Sequence, residues 1–200
     1  MAAGRRRLRR LGLGGWGWYD ADRPINFPGF FALAQSEHDV GYVNGRLRAA
    51  YQLGAGSWYL KPMVDLDATH VRLDGVNETG AGAVGLIVRG ADETVLSATP
   101  ALELGAQFGA AYGTLVRPYL RGGATFYDDP DFVLLASFEG SPGSVGPFRI
   151  ASSTDDVVGT VGAGVDVIGA EGASFRLYYE GSFGDLVEQH GGGIKGTLPF

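Results

Sequence analysis

Histidine, serine and cysteine are the first side chains to consider for chemistry, because they supply bases, nucleophiles and metal ligands. The three histidines, His38, His70 and His190, lie far apart and lack the short spacing of metal-ligand motifs. No G-x-S-x-G nucleophile elbow occurs, and the chain contains no cysteine. The sequence therefore predicts a protein that is not an enzyme and that has no metal site and no cofactor.

Two glycine patterns and one acidic loop remain as candidate ligand sites. The segments 12–17 and 80–85 both fit G-x-G-x-x-G, but neither lies between a strand and a helix of a βαβ unit. With 34 glycines in 200 residues, chance matches are expected. Calcium binding and a simple solvated loop are the alternatives for a group of acidic residues, and we interpret it as a solvated loop. This group is Asp128, Asp129, Asp131, Asp155 and Asp156.

Composition limits the class of protein. A chain of 200 residues suits one domain, and its high glycine content disfavours helices. Nine Tyr, eleven Phe and three Trp favour strands, and no apolar stretch is long enough for a membrane-spanning helix. The net charge of −6 argues against a nucleic-acid partner. We interpret the basic run at 5–10 as a solvated N-terminus, with nucleic-acid or lipid-headgroup contact as the alternatives, and no signal-peptide apolar region follows it.

Alternation of apolar and polar residues dominates the chain and predicts an all-β protein. In the segment 157–168, Val161 and Val165 share one face, whereas Asp166 lies on the other. Eight such segments are separated by glycine-rich breaks, and 14–20 resembles the tail of a ninth. The predicted strands are 40–53, 58–70, 82–90, 96–110, 114–127, 157–168, 173–183 and 191–200.

The polar faces of these strands carry charged residues of both signs. Such a face suits the solvated exterior of a soluble, ligand-binding barrel as well as the polar lumen of a membrane barrel. Under the second alternative we expect twelve residues to line the lumen. They are Arg46, Arg48, Lys61, Asp65, Asp67, Glu103, Arg117, Arg121, Asp166, Arg176, Glu180 and Lys195.

Strand length and aromatic placement favour the membrane barrel. About 9–11 tilted residues cross a bilayer core, and nearly every predicted strand is at least that long. Aromatic residues on the apolar faces lie near strand ends, as in the girdles at the two membrane interfaces. These residues are Trp58, Phe108, Phe126, Phe183 and Phe200.

The end of the chain resembles the final hairpin of the autotransporter β-domain, the translocator of type V secretion. In "SFRLYYEGSFGDLVEQHGGGIKGTLPF", the family's Y-x-G strand, HGG-like turn and terminal Phe have counterparts. Two upstream stretches, "LKPMVDLDATHVRLDGVNETGAGAVGLIV" and the loop and strand from "LLASFEG" to "GAGVDV", are similar to the family as well. The matching residues are Leu60, Pro62, Leu66, Glu78, Gly80 to Val88, Tyr178 to Gly181, His190, Gly191, Gly192 and Phe200.

This resemblance covers about residues 15–200 and implies an antiparallel, up-and-down transmembrane β-barrel in the bacterial outer membrane. The family's barrel has twelve strands, so we expect this chain to be a truncated form of that barrel and to correspond to the C-terminal portion of a translocator. The implied partners are outer-membrane lipid, the chain's own passenger domain and the barrel-assembly machinery. That machinery would read Phe200 and Leu198 as an assembly signal, although the glycine register around Gly193–Gly196 departs from the usual signal.

The remaining expectations concern the domain bounds, the alternative function and the strand topology. Residues 1–20 form a poorly specified basic and glycine-rich N-terminus, and residues 21–200 form the translocator domain. A small, complete outer-membrane barrel with an adhesive or structural role is the alternative function. Counting strands back from a periplasmic C-terminus puts the insertion 128–156 outside, but puts the irregular segment 20–39 on the side of the short turns.

Overall fold

The computed structural model describes residues 5–129 and 131–199, and these residues are almost entirely antiparallel β-structure. Two single-turn 3₁₀ helices, Gly82–Val84 and Ala111–Gly113, are the helical elements of this part of the chain, and neither is long enough to cross a membrane. The strands are β1 Arg5–Phe27, β2 Phe30–Ala55, β3 Trp58–Leu73, β4 Val76–Asn77, β5 Leu86–Val88, β6 Ala91–Ala106, β7 Phe108–Gly109, β8 Leu115–Asp128, β9 Phe132–Phe138, β10 Phe148–Ser152, β11 Val157–Ile168, β12 Ser174–Phe183 and β13 Glu188–Thr197.

Eight long strands form the main sheet in the order β1-β2-β3-β6-β8-β11-β12-β13, and β7 adds a short pairing to β8. Each long strand pairs with the next long strand along the chain, so the sheet is an up-and-down meander. The sheet curls into a half-barrel. This architecture confirms the predicted all-β, antiparallel fold of the barrel type.

The eight long strands differ from the eight that the sequence predicted. The apolar segment 82–90 forms the first 3₁₀ helix and the three-residue strand β5, which lies outside the main sheet. The segment 20–39 is not irregular, because it forms the ends of β1 and β2 and the turn at residues 28–29. Strand β1 also crosses the boundary placed at residue 20, since it pairs with β2 from Arg5 to Phe27. The parity conflict of the predicted topology disappears because 82–90 is not a strand of the main sheet and 20–39 belongs to β1 and β2.

The connections of the main sheet divide between two ends of the half-barrel. The short turns after β2, β7 and β11 lie at the same end as residues 5 and 197, and we term this the terminal end. The long connections between β3 and β6 and between β8 and β11 lie at the opposite, far end. The short turns at 28–29 and 184–187 also lie at the far end, so the terminal end is the one that carries short connections alone. Long loops at one end are typical of outer-membrane barrels, in which the long loops face outward. The predicted outward position of the insertion therefore agrees with the topology.

The long connections of the far end pair with each other as a second sheet, in the order β10-β9-β5-β4. Arg23 of β1 holds this sheet in place, because its Nε donates to Glu78 Oε1 at 2.9 Å and its Nη2 donates to the carbonyl of Val84 at 3.2 Å. The backbone N–H of Leu86 also donates to Glu78 Oε2 at 2.8 Å. The hydrogen bonds from Arg23 hold the pKa of Glu78 below its ordinary value, although burial acts in the opposite direction. The carboxylate thus stays charged between β1 and the second sheet.

Two prolines interrupt the ladders of the main sheet. The assigned pairing of β2 with β3 stops between Ala50 and Leu53, opposite Pro62. The pairing of β6 with β8 likewise skips Pro100. Proline has no N–H to donate, so a missing ladder bond at these points follows from its covalent structure.

The burial pattern of the main sheet is the reverse of that of a soluble barrel. Asp65 and Glu103 on the polar face are only 7% and 6% exposed, whereas Leu102 and Leu120 on the apolar face are 48% and 62% exposed. No large side chain among the described residues is fully buried. A soluble protein buries its leucines in a core, so the apolar face of this sheet requires an apolar surrounding.

Candidate functional site: the polar face of the main sheet

All five predicted acidic residues of the polar face pair with predicted cations, four of them on a neighbouring strand and Glu180 with Arg121 two strands away. The predicted charges are therefore brought together as cross-strand pairs, which stabilise antiparallel sheets. The pairs and their N–O distances are Arg46–Asp67 at 2.6 Å, Arg48–Asp65 at 2.5 Å, Lys61–Glu103 at 2.5 Å, Arg121–Glu180 at 2.5 Å and Arg176–Asp166 at 2.5 Å. Arg117 and Lys195 have no carboxylate within salt-bridge distance among the described residues.

The polar face is organised in rows that run across the strands, because directly opposed residues of an antiparallel sheet lie on the same face. The charged row nearest the terminal end, which we term the mouth row, contains four charged residues. They are Arg117, Asp166, Arg176 and Lys195, each two residues from the end of its strand.

The next row alternates glycine and tyrosine over seven strands, and we term it the tyrosine–glycine row. Each member lies directly opposite the next in the strand register. In order from β2 to β13 the row is Gly54, Tyr59, Gly105, Tyr119, Gly164, Tyr178 and Gly193.

Each tyrosine ring of this row leans over the glycine of the strand that follows it. A Cβ atom at Gly164 would lie 2.6 Å from the Tyr119 hydroxyl, and one at Gly193 would lie 2.7 Å from Tyr178. A Cβ atom at Gly105 would overlap the ring of Tyr59. Glycine is therefore required at these positions by the close approach of a ring and not by a turn.

Tyr59 is the best-buried tyrosine of the row, at 4% exposed. Its hydroxyl donates to Glu103 Oε1 at 3.0 Å, and the same carboxylate accepts from Lys61. The Arg117 guanidinium lies 5.9 Å from the centre of the Tyr59 ring, within the range of a cation–π contact. This cluster links β3, β6 and β8 through polar contacts on one face.

A third row, which we term the charge row, alternates in sign and lies beyond the tyrosine–glycine row. It contains Lys61, Glu103, Arg121 and Glu180, with Gly162 between the last two. The glycine leaves space for the Arg121 side chain, whose Nη2 would lie 3.2 Å from a Cβ atom at that position. Arg121 can therefore reach across β11 to Glu180.

The remaining candidates form no reactive constellation. Asp155 accepts hydrogen bonds from the backbone N–H groups of Asp185, Leu186 and Val187 at 3.0–3.1 Å, so it anchors the last turn of the far end. Within residues 5–129 and 131–199, no group of three His, Asp or Glu residues could hold a metal ion. The polar face thus offers paired charges and hydroxyl groups, which suit a hydrated wall.

The sequence analysis missed one feature of the site, and one of its predicted residues lies outside the described part of the chain. The tyrosine–glycine row was missed, and its signal is tyrosine or glycine on the polar face at matched distances from successive turns. Leu198 follows the end of β13 and is exposed. Phe200, the other residue of the predicted assembly signal, lies outside the described residues.

The aromatic prediction holds for its described members. Trp58, Phe108, Phe126 and Phe183 are all exposed on the apolar face. Trp58 and Phe108 lie at the terminal end, whereas Phe126 and Phe183 lie toward the far end. The apolar face between these two levels is the part that meets the membrane core in an outer-membrane barrel.

Comparison with known proteins agrees with this geometry. The family model "Autotransporter beta-domain" matches residues 4–180. No curated protein matches the chain. The family consists of bacterial outer-membrane translocators, which export a passenger domain. An antiparallel half-barrel with an apolar exterior and a charged, paired polar face, together with a family match over most of its length, shows that the chain belongs to the autotransporter β-domain family.

Proposed function

We propose that the polar face of the main sheet lines the water-filled lumen through which the translocator supports passenger export. The twelve predicted residues, from Arg46 to Lys195, are its charged lining. The observation that carries this proposal is the reversed burial, because Asp65 and Glu103 are covered whereas the leucines of the opposite face are exposed. In a bilayer the exposed leucines contact lipid, and the charges remain hydrated in the lumen.

The cross-strand ion pairs support a passive role for this wall. Five carboxylates are neutralised by neighbouring cations, so the lumen does not bear a large uncompensated negative charge. The polar groups are used to pair strands, and none is arranged as a nucleophile with a base. We therefore propose that the domain acts without catalysis, as a scaffold and conduit. Residues 21–200 carry this role, with residues 5–20 extending its first strand.

Single cysteines test the lumen assignment, since the chain has no cysteine of its own. Thr160 and Val161 are neighbours on β11 and point to opposite faces. In outer membranes, Thr160→Cys should react with a small water-soluble maleimide because the lumen is hydrated, whereas Val161→Cys should not because it faces lipid. Labelling is measured by the mass shift on a denaturing gel.

The matched pair Ser182→Cys and Leu177→Cys on β12 provides the control on a second strand. Both polar-face variants should react and both apolar-face variants should react only after unfolding. Preferred labelling of Val161→Cys and Leu177→Cys by the water-soluble reagent would reverse the faces and reject the lumen assignment.

We further propose that the barrel-assembly machinery reads Phe200 and Leu198 during insertion. Burial of one aromatic side chain contributes only ~1.5–3 kcal/mol, which is small beside the pairing of eight long strands. A recognition role therefore predicts that deletion of Phe200 reduces assembly in cells severalfold, yet leaves refolding in detergent unchanged. Heat-modifiable gel mobility measures both, and equal losses in the two assays would indicate a packing role instead.

A further inference from the structure

We propose that the mouth row, Arg117, Asp166, Arg176 and Lys195, is an anion-recognition site at the terminal end that takes the carboxylate groups of an acidic polypeptide segment entering the lumen. This inference rests on the proposed lumen. It names the class of ligand that the lumen wall binds and the end of the lumen at which that ligand enters.

The charge balance of the mouth row differs from that of the charge row beyond it. The charge row contains two cations and two anions, which pair with one another. The mouth row contains three cations and only one anion. Rings of Arg and Lys are the arrangement by which pores select anions.

The single carboxylate of the mouth row is already occupied. Asp166 accepts two hydrogen bonds from Arg176, from Nε at 2.5 Å and from Nη2 at 2.9 Å. This pairing leaves Arg117 and Lys195 on either side without a carboxylate partner in the described part of the chain. Arg117 Nε is also buried without a hydrogen-bond partner there. The Arg117 side chain as a whole is only half-buried, so part of it remains accessible to a ligand.

The place of the row indicates which ligand meets it. Each member lies two residues from a strand end at the terminal end, where the short turns lie. Short turns face the periplasm in outer-membrane barrels, so a polypeptide on its way outward passes the mouth row first. The neighbouring Tyr59 and Tyr119 rings lie against glycines of the wall. Extended chain carrying Asp or Glu can therefore approach Arg117 and Lys195 without displacing an existing ion pair.

Planar-bilayer recording with the refolded protein tests the proposal. With a potassium chloride gradient, the reversal potential should show a preference for chloride over potassium. A glutamate-rich peptide of about twelve residues, added on the terminal-end side, should block the current at a roughly tenfold lower concentration than in the variant Arg117→Gln/Lys195→Gln. That variant removes two positive charges and leaves the Arg176–Asp166 pair intact.

Two matched variants distinguish an effect of the mouth row itself from an effect of the protein's total charge or of misfolding. Arg10→Gln/Arg149→Gln removes the same charge from the apolar face and from β10, so it should retain anion preference and block. Arg117→Lys/Lys195→Arg preserves the charge of the mouth row and should retain both properties. Heat-modifiable mobility confirms that each variant is folded before recording.

Failure of the anion site and failure of the lumen assignment give different results in these recordings. An open pore without chloride preference, or with a preference that survives Arg117→Gln/Lys195→Gln, would overturn the mouth row as an anion site. Block by free glutamate at the same carboxylate concentration as by the peptide would overturn the polypeptide as its ligand. A folded protein without any conductance would overturn the lumen assignment itself and the inference with it.

Discussion

Leu120→Arg is expected to lower the free energy of unfolding in lipid by about 2–4 kcal/mol, the cost of an arginine facing lipid near the bilayer midplane. Leu120 is 62% exposed on the apolar face. It lies on β8 about halfway between Val116, which is paired with Phe108 of the terminal-end aromatic level, and Phe126 of the far level. The measurement is a urea titration in lipid vesicles followed by tryptophan fluorescence.

Arg121→Leu on the same strand is the control for this prediction. Arg121 pairs with Glu180, whose side chain is itself well exposed, so its removal leaves a charge that water can still hydrate. An exposed ion pair contributes only ~0–1 kcal/mol. We therefore expect a smaller loss of stability than for Leu120→Arg, and the opposite order would mean that the faces have been exchanged.

Gly105→Val is expected to destabilise the protein by about 2–3 kcal/mol, although valine ordinarily suits a strand better than glycine. The new side chain would occupy the position of the Tyr59 ring. Displacement of that ring would also break the Tyr59–Glu103 hydrogen bond, a contact worth ~1 kcal/mol. The same titration in lipid vesicles measures the loss.

Gly54→Ala and a double variant make this prediction specific to the ring. Gly54 belongs to the same row, but a Cβ atom there would meet nothing within 4 Å, so its replacement should be neutral or slightly stabilising. Tyr59→Ala/Gly105→Val should be less destabilised than the sum of its single changes, because the valine then fills the vacated space. If the losses of stability of the two single variants simply add, the Tyr59 ring is not the reason that glycine is required at position 105.

The differences between prediction and structure have one physical origin in strand pairing. The segment 82–90 is apolar and rich in glycine but has no long partner, whereas the basic segment 5–27 forms a long strand because it has a partner of matching length in β2. Short apolar segments are compatible with several partners, and the second sheet at the far end takes β5 through its pairings with β4 and β9. Local alternation carries no information about such long-range partners.

The tyrosine–glycine row could not be predicted from the sequence for the same reason. Tyr119 and Gly164 are 45 positions apart in the printed sequence, and their opposition depends on the register between β8 and β11. A shift of one residue in that register would send every side chain to the other face. Turn geometry and the packing of whole strands decide the register, and neither can be read from the composition of either strand.

The sequence by itself determined the fold class, the resemblance to the family and the two faces of every long strand except β1, because side-chain alternation with a period of two is a local property of the chain. It also placed twelve charged residues on the polar face, but it missed Arg9, which lies opposite Arg48 in the register of β1 with β2. Only the tertiary structure decided which strands belong to the main sheet and which cations have partners. Ion pairing depends on register, and register places Asp166 beside Arg176 while it leaves Arg117 and Lys195 without a carboxylate in the described part of the chain. Long-range pairing therefore converts an ordinary mixture of charges into five ion pairs along the wall, with an excess of cations in the row at one end.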